Sequence, residues 1–178
     1  MTHDSPCRSN LTHMKYYQTI AAVVLMPFLL SAKEKKAEDA VPDVSVEKVT
    51  FGKQVNEAPF DAKALAGKVL VVESWGVNCP PCIASLPEMQ RLAKSGEKKG
   101  LVVVGLEAQG SSNEAILKVL KSARVTYPVM SGGDIGVPHN GIPHAAVYGV
   151  DGKLLWHGHP ADDEFKRKVK EALRAVEK

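Results

Sequence analysis

The sequence has few cysteines, little net charge and no long hydrophobic run, and each shortage excludes a class of protein. Three cysteines in 178 residues are too few to stabilise a small disulfide-rich scaffold. A formal net charge of +3, without a long uninterrupted stripe of lysine and arginine, argues against a nucleic-acid partner. With 14 Gly and 11 Pro the chain is not of low complexity. These properties leave an ordinary globular protein of one domain with a short appendage.

The first 32 residues differ in composition from the rest of the chain. Lys15 precedes an apolar stretch at residues 20–30, which is followed by Ser31-Ala32 and a charged run. This stretch is shorter than the roughly 18 residues that a membrane-spanning helix needs, so residues 1–32 are typical of a signal peptide. An uncleaved N-terminal anchor is the alternative, and Met14 is a second candidate start. Both interpretations predict a periplasmic or otherwise extracytoplasmic location.

The segment after the apolar stretch predicts a tether. Residues 33–42 are rich in lysine, glutamate and alanine and have no apolar pattern with which to build a core. The folded domain is therefore expected at residues 43–178. Because Cys7 falls in the removable segment, Cys79 and Cys82 are the two cysteines of the expected mature chain.

Hydrophobic periodicity in the domain predicts alternating strands and helices. Period-two alternation or continuous apolar runs predict strands at residues 44–49, 69–72 and 101–104. Helical spacing and a capping pattern predict helices at 81–94 and from 111–114 onward. A Gly-rich loop is predicted at residues 131–141. The two apolar runs that follow are separated by Asp151-Gly152 and predict a hairpin. Acidic residues at 162–164 predict the start of a last helix. This order, β-α-β and then β-β-α, indicates an α/β domain.

A Cys-Pro-Pro-Cys sequence follows a predicted buried strand and opens a predicted helix. Free N–H groups and the helix dipole stabilise a thiolate at such a terminus, so Cys79 is expected to be the nucleophile. Cys82 lies one turn further in and is expected to resolve the mixed disulfide. Metal binding competes with this interpretation, but zinc normally takes four ligands and the motif supplies two. Further ligands would have to come from a group of histidines that also fits a polar rim: His139, His144, His157 and His159.

These features resemble the thioredoxin superfamily, and within it the extracytoplasmic thiol-disulfide oxidoreductases of the TlpA/ResA type. The likeness covers about residues 41–178 and rests on Trp75-Gly76 before the CPPC motif and on Gly141-Ile142-Pro143. It implies a thioredoxin-like fold with a central mixed β-sheet flanked by helices. It also implies a monomer without cofactor that exchanges dithiol and disulfide with protein substrates and with a membrane-bound or exported redox partner.

The resemblance also implies a substrate-binding surface. Pro143 corresponds to a cis proline beside the disulfide, and the backbone of Ile142 corresponds to the residue that pairs with an extended substrate. Trp75 is expected at the same surface. The alternative for Pro143 is an ordinary trans proline that opens a strand, since X-Pro bonds are rarely cis.

Glu73 is the third candidate catalytic residue, and it matches the place where thioredoxins keep a buried acid. It interrupts an apolar run, and an ionised carboxylate there would lose several kcal/mol of solvation, so we expect a raised pKa and a role as proton acceptor for Cys82. The lysine of thioredoxins on the next strand is replaced by Gly105, and the acid that some relatives carry after the second cysteine is replaced by Ser85. A solvated Glu73 facing outward is the alternative.

Two other activities on the same superfold remain open at this point. A peroxiredoxin-type peroxidase needs a threonine three residues before its cysteine, where this chain has Gly76. The chain also departs from the TlpA/ResA type, because Asn78 replaces the aromatic residue that is common immediately before the first cysteine. A Sco-type copper-delivery module would use the two cysteines with a histidine from residues 138–160, but it spaces its thiols one residue wider. Since Pro81 lacks an N–H that would stabilise the Cys79 thiolate, the pair is expected to be reducing.

Overall fold

The computed structural model describes residues 42–176. The expected signal peptide or anchor, Met14, Cys7 and residues 33–41 of the expected tether lie outside the described residues. None of the helices between residues 42 and 176 combines the length and the apolar composition that a membrane span requires.

A mixed six-stranded sheet forms the centre of the domain. The strands are β1 (Thr50–Gln54), β2 (Val69–Trp75), β3 (Leu101–Glu107), β4 (Val129–Asp134), β5 (His144–Tyr148) and β6 (Leu154–Gly158), and the helices are α1 (Pro80–Gly96), α2 (Asn113–Ala123) and α3 (Asp163–Val176). The strand order is β1-β4-β3-β2-β5-β6. The central pairs β2–β3 and β3–β4 are parallel, whereas β1–β4, β2–β5 and β5–β6 are antiparallel. The predicted α/β fold with a mixed sheet and flanking helices is confirmed.

Strand β2 lies at the middle of the sheet, and all seven of its residues are buried. Its continuous apolar run fits this position, because such a strand is covered on both faces. Val71 and Trp75 point into a core to which all three helices contribute. Leu70 and Val72 point into a second core on the other face, covered by the chain around residues 44–65 and 135–137. The strand that leads to the cysteines is thus held from both sides.

Two predictions at one edge of the sheet are wrong: the strand at residues 44–49 and the start of the Gly-rich loop. Residues 44–49 do not form a strand: Ser45 makes a single bridge, and Val46–Lys48 is a 3₁₀ turn whose Glu47 N–H bonds the Ser45 side chain at 3.2 Å. Val49 is instead a buried member of the second core, and Val44 and Val46 pack against that core. The predicted Gly-rich loop begins as strand β4, where Gly133 has φ +116° and a Cβ would lie 2.4 Å from the Thr50 carbonyl oxygen.

The remaining elements follow the predictions closely. The predicted hairpin is β5–β6, whose turn contains Asp151-Gly152, and α3 buries Phe165, Val169 and Ala172 as its spacing indicates. Helix α2 begins one residue later than the capping pattern predicts, because Ser112 is its N-cap and accepts the Ala115 N–H at 3.2 Å. Ser111 instead bonds Glu107.

Candidate active site

Cys79 and Cys82 form a disulfide at the start of α1, where β2 ends. Cys79 is the N-cap residue, and the first two helical positions are prolines without an N–H, so Cys82 carries the first free N–H of the helix. That N–H donates to the Cys79 Sγ at 3.3 Å. Cys79 is 7 % exposed and Cys82 is 0 % exposed. The two cysteines therefore differ in both exposure and hydrogen bonding.

The segment before β5 faces the disulfide from the other side. The Ile142-Pro143 peptide bond is cis, as the resemblance implies for its geometry. The Ile142 carbonyl oxygen lies 3.7 Å from the Cys79 Sγ, and Ile142 is half-buried while Pro143 is buried. This places a backbone edge next to the more accessible sulfur.

Glu73 is fully buried in β2, so the solvated alternative is excluded. It lies opposite Gly105 in β3 and Ala145 in β5, neither of which carries a charge. The Ser85 hydroxyl is 2.7 Å from the Glu73 Oε1 and 2.7 Å from the Cys82 carbonyl oxygen. Burial raises the pKa of Glu73 to about 7, and the hydrogen bond from Ser85 opposes part of this rise. Ser85 thus links the carboxyl group to the residue that bears the buried sulfur.

Trp75 does not lie where the sequence analysis expects it. Its side chain is fully buried and belongs to the core beneath the helices, so it presents no surface to a substrate. The physical reason is strand parity, because alternate residues of β2 share a face and Trp75 shares that of Val71. Apolar surface near the disulfide comes instead from Ile83, which is 37 % exposed.

Sequence reasoning missed two residues that hold the loop before Cys79. Glu107 is fully buried and accepts hydrogen bonds from the Ser111 N–H at 3.0 Å, the Ser111 hydroxyl at 2.8 Å and the Val77 N–H at 3.5 Å. Gln109 Oε1 accepts the Asn78 N–H at 2.8 Å. One feature of the sequence could have predicted the burial of Glu107: it follows an apolar run, as Glu73 does.

A group of histidines lies beside the Ile142-Pro143 bond. His144 Nε2 and His157 Nδ1 are 3.1 Å apart, and the His139 ring stacks on His144 with 5.0 Å between ring centroids. Burial, and then the neighbouring histidines, lower the pKa of His144 to about 4. Among the residues from 42 to 176, no three side chains of His, Cys, Asp or Glu are placed to hold a metal ion.

A mixed sheet, a CxxC disulfide at a helix start and a cis proline facing it define a thioredoxin-like redox domain. The chain matches the family described as Redoxin over residues 36–173, and it belongs to that family. It is 26 % identical over 121 residues to the thiol-disulfide oxidoreductase ResA of Bacillus thuringiensis, an alignment that covers 66 % of this chain and 68 % of the relative. These matches confirm the resemblance to the TlpA/ResA type.

Other relatives are longer proteins. The chain is 30 % identical over 112 residues to Protein SUPPRESSOR OF QUENCHING 1, chloroplastic, of Arabidopsis thaliana, covering 57 % of this chain and 10 % of the relative. It is 28 % identical over 134 residues to NHL repeat-containing protein 2 of Gallus gallus, covering 68 % of this chain and 18 % of that relative. The chain thus spans a small part of each of these relatives.

Solved structures show the same fold. A thiol:disulfide interchange protein of the thioredoxin family from Chlorobium tepidum superimposes with a TM-score of 0.61 at 28 % identity, covering 76 % of this chain and 99 % of the other. A thiol-disulfide isomerase from Corynebacterium glutamicum gives a TM-score of 0.58 at 19 % identity, covering 78 % and 97 %.

Proposed function

We propose that this protein is a thiol-disulfide oxidoreductase that exchanges dithiol and disulfide with protein substrates through Cys79 and Cys82. The observation that carries the proposal is the asymmetry of the pair. Cys79 caps α1, is the more exposed of the two residues and accepts the Cys82 N–H at its Sγ, whereas Cys82 is fully buried. This geometry suits one sulfur to attack and the other to resolve.

The reaction has two steps in the reducing direction. The Cys79 thiolate attacks a substrate disulfide, forms a mixed disulfide and releases one substrate sulfur as a thiolate, which takes a proton from solvent. The Cys82 thiol then loses its proton, and its thiolate attacks the Cys79 sulfur. This forms the Cys79–Cys82 disulfide and releases the second substrate sulfur, so the substrate gains two electrons and the protein loses two.

Glu73 is proposed as the group that takes the Cys82 proton. Its pKa of about 7 leaves a large fraction ionised near neutral pH, so the carboxylate is able to accept a proton there. Ser85 supports this role, because its hydroxyl lies within hydrogen-bond distance of both the Glu73 carboxyl and the Cys82 carbonyl oxygen.

Substrate binding is proposed at the edge formed by Ile142 and Pro143. The Ile142 carbonyl oxygen is close to the Cys79 Sγ and would accept an N–H from an extended substrate chain. The exposed side chain of Ile83 adds apolar contact area on the α1 side. Ile142→Ala keeps this carbonyl oxygen and removes only the side chain. The variant therefore tests side-chain contact with the substrate separately from pairing with the backbone.

We propose that the pair acts as a reductant. Pro80 and Pro81 offer no N–H to the Cys79 Sγ, which leaves the Cys82 N–H as its hydrogen-bond donor. Weak stabilisation of the thiolate favours the disulfide and lowers the reduction potential. Titration of the full chain against glutathione should give a potential nearer to about −270 mV than to about −120 mV, and a value above roughly −180 mV would contradict this assignment.

An extracytoplasmic location and an exported or membrane-bound redox partner belong to the same proposal. They rest on the apolar pattern of residues 20–30 and on Ser31-Ala32. Expression of the full chain fused to a reporter that is active only outside the cytoplasm tests the location, and an inactive reporter would contradict it.

Insulin reduction tests the activity. The full chain supplied with dithiothreitol should reduce insulin disulfides, Cys79→Ser should lose this activity, and Cys82→Ala should accumulate mixed disulfides. Cys79→Ser at wild-type rate would remove Cys79 from the mechanism. Tight copper binding by a chain that shows no disulfide exchange would favour a delivery module instead.

A further inference from the structure

Two loops meet beside Cys79, where the parallel strands β2 and β3 end. Pairing continues for one hydrogen bond beyond β3, since the Ala108 N–H donates to the Trp75 carbonyl oxygen at 2.8 Å. The two chain segments then diverge, one toward the start of α1 and the other toward α2. The residue after Ala108 reconnects them, because Gln109 Oε1 accepts the Asn78 N–H at 2.8 Å. A side chain of the second loop therefore holds the residue that directly precedes Cys79.

The backbone N–H groups of the loop before Cys79 all have acceptors. The Cys79 N–H donates at 3.3 Å to a carbonyl oxygen of the same loop. The Val77 N–H donates to Glu107 at 3.5 Å, which is long for such a bond. The Asn78 N–H makes the shortest of the three bonds, the one to Gln109. Among these contacts, Gln109 therefore provides the closest tie between this loop and the segment after β3.

Gly76 provides the space that Gln109 occupies. A Cβ placed on Gly76 would lie 2.3 Å from Gln109 Cδ and 2.5 Å from Gln109 Oε1. The φ of Gly76 is outside the left-handed region, so its backbone conformation does not require a glycine. Gln109 itself is exposed, so its amide is free to move aside if a side chain is added at position 76. Two separate observations, the hydrogen bond and the close approach, thus place the Gln109 amide against this loop.

The position of Cys79 depends on this loop more than that of Cys82 does. Cys82 lies within α1, whereas Cys79 is the N-cap residue and is preceded by the loop. Forming the disulfide costs less conformational entropy when the loop of the dithiol form is already held in place. A loosened loop would give the dithiol form freedom that the cross-linked form cannot gain. Loss of the contact should therefore shift the equilibrium toward the dithiol.

We propose that Gln109 is a positioning residue for Cys79, and that Gly76 is needed because it leaves room for the Gln109 amide. The hydrogen bond to Asn78 holds the loop so that the Cys79 sulfur stays within reach of Cys82 in the dithiol and in the mixed disulfide. Gln109 acts through the backbone before Cys79 and takes no part in the transfer of electrons or protons. The inference rests on the proposed function for the reaction that this contact assists.

The first experiment equilibrates the full chain with glutathione. Oxidised glutathione accepts two electrons from the Cys79 and Cys82 thiols, so each protein disulfide that forms yields two glutathione thiols. The disulfide is quantified by mass spectrometry of the peptide that contains both cysteines. Gln109→Met keeps the length of the side chain but removes the acceptor. It should lower the equilibrium constant for forming the protein disulfide by roughly two- to tenfold, within the range of one net hydrogen bond.

Gln90→Met is the matched control. Gln90 Oε1 also accepts a backbone N–H from a distant part of the chain, that of Thr126 at 2.6 Å, but it lies further along α1. This variant should leave the glutathione equilibrium unchanged. A merely structural contact would destabilise the dithiol and disulfide forms alike and would not move this constant. An unchanged constant in Gln109→Met, or an equal change in Gln90→Met, would overturn the proposal.

A double-mutant cycle tests the role of Gly76. Gly76→Ala places a methyl group where the Gln109 amide lies, so it should displace the amide and shift the glutathione equilibrium in the same direction as Gln109→Met. The double variant should shift no further than the larger single shift, because the same hydrogen bond is lost only once. Additive shifts would overturn the coupling between Gly76 and Gln109.

These measurements use glutathione and no protein substrate, so they separate the role of Gln109 from the proposed function. A shifted equilibrium in a chain that fails to reduce insulin would refute the proposed function alone. Normal reduction of insulin together with an unchanged equilibrium in Gln109→Met would refute the role of Gln109 alone.

Discussion

Two fully buried glutamates on neighbouring parallel strands differ in what surrounds them. Glu107, at the end of β3, accepts two hydrogen bonds from Ser111 and a longer one from the Val77 N–H. Glu73, in β2, has one hydroxyl partner on Oε1 and no protein partner on Oε2. Equal burial therefore leaves the two carboxyl groups in different hydrogen-bonding environments, which fits a structural role for Glu107 and the proton-acceptor role proposed for Glu73.

The positions of the two residues agree with this difference. Glu107 joins the loop before Cys79 to the loop before α2, over a separation of 30 residues from Val77. Glu73 is linked through Ser85 to the helix that carries the disulfide. The following predictions test the contrast between Glu107, whose carboxyl group holds two loops together, and Glu73, whose carboxyl group is proposed to accept a proton.

Glu107→Ala should have the largest effect on stability. It leaves the Ser111 and Val77 N–H groups without their acceptor and removes buried atoms, which we expect to lower the free energy of unfolding by about 4 kcal/mol. Urea denaturation measures it, with the exposed Glu57→Ala as control, for which we expect no change beyond about 0.5 kcal/mol. A loss below about 1 kcal/mol for Glu107→Ala would contradict the structural role.

Glu73 should make stability depend on pH. Its pKa is raised from 4.5 to about 7 in the folded chain, so its stabilising contribution is complete below pH 4.5 and is lost as the pH rises through 7. Relative to Glu73→Gln, the wild type should lose about 3 kcal/mol of unfolding free energy over this range. Unfolding at a series of pH values measures the difference, and parallel curves for the two proteins would show that Glu73 is not perturbed.

Glu73→Gln should also slow resolution of the mixed disulfide. Loss of the proton acceptor should reduce this step by roughly 10²-fold, equivalent to about 2.7 kcal/mol, while attack by Cys79 stays near the wild-type rate. Stopped-flow measurement with a fluorescent disulfide substrate separates the two steps. Equal slowing of both steps would point to general damage of the site instead.

Ser85→Ala should produce the smallest of these effects. The Ser85 hydrogen bond lowers the pKa of Glu73, so its loss should move the pH midpoint of resolution upward, by less than about one pH unit. Ser95→Ala is the matched control, because its hydroxyl bonds the Leu92 carbonyl oxygen further along α1. A downward shift would mean that Ser85 stabilises the protonated form of Glu73.

Much of the site was predictable from local sequence. A buried run, CPPC and helical spacing place Cys79 at the start of α1, because each of these signals acts over a few residues. The apolar run around Glu73 likewise predicts its burial and raised pKa. The hairpin at Asp151-Gly152 follows from turn chemistry alone.

Other features were decided only by the tertiary structure. Strand parity and helix packing bury Trp75, and the pairing of β1 with β4 turns part of a predicted loop into a strand. The hydrogen bond from the Val77 N–H to Glu107 and the packing of the Tyr127 ring near Gly105 join residues that are distant in sequence, so no local pattern predicts them. The sequence by itself determined which residues are proposed to react, because their chemistry and local elements are encoded nearby, whereas non-local packing decided which groups surround them.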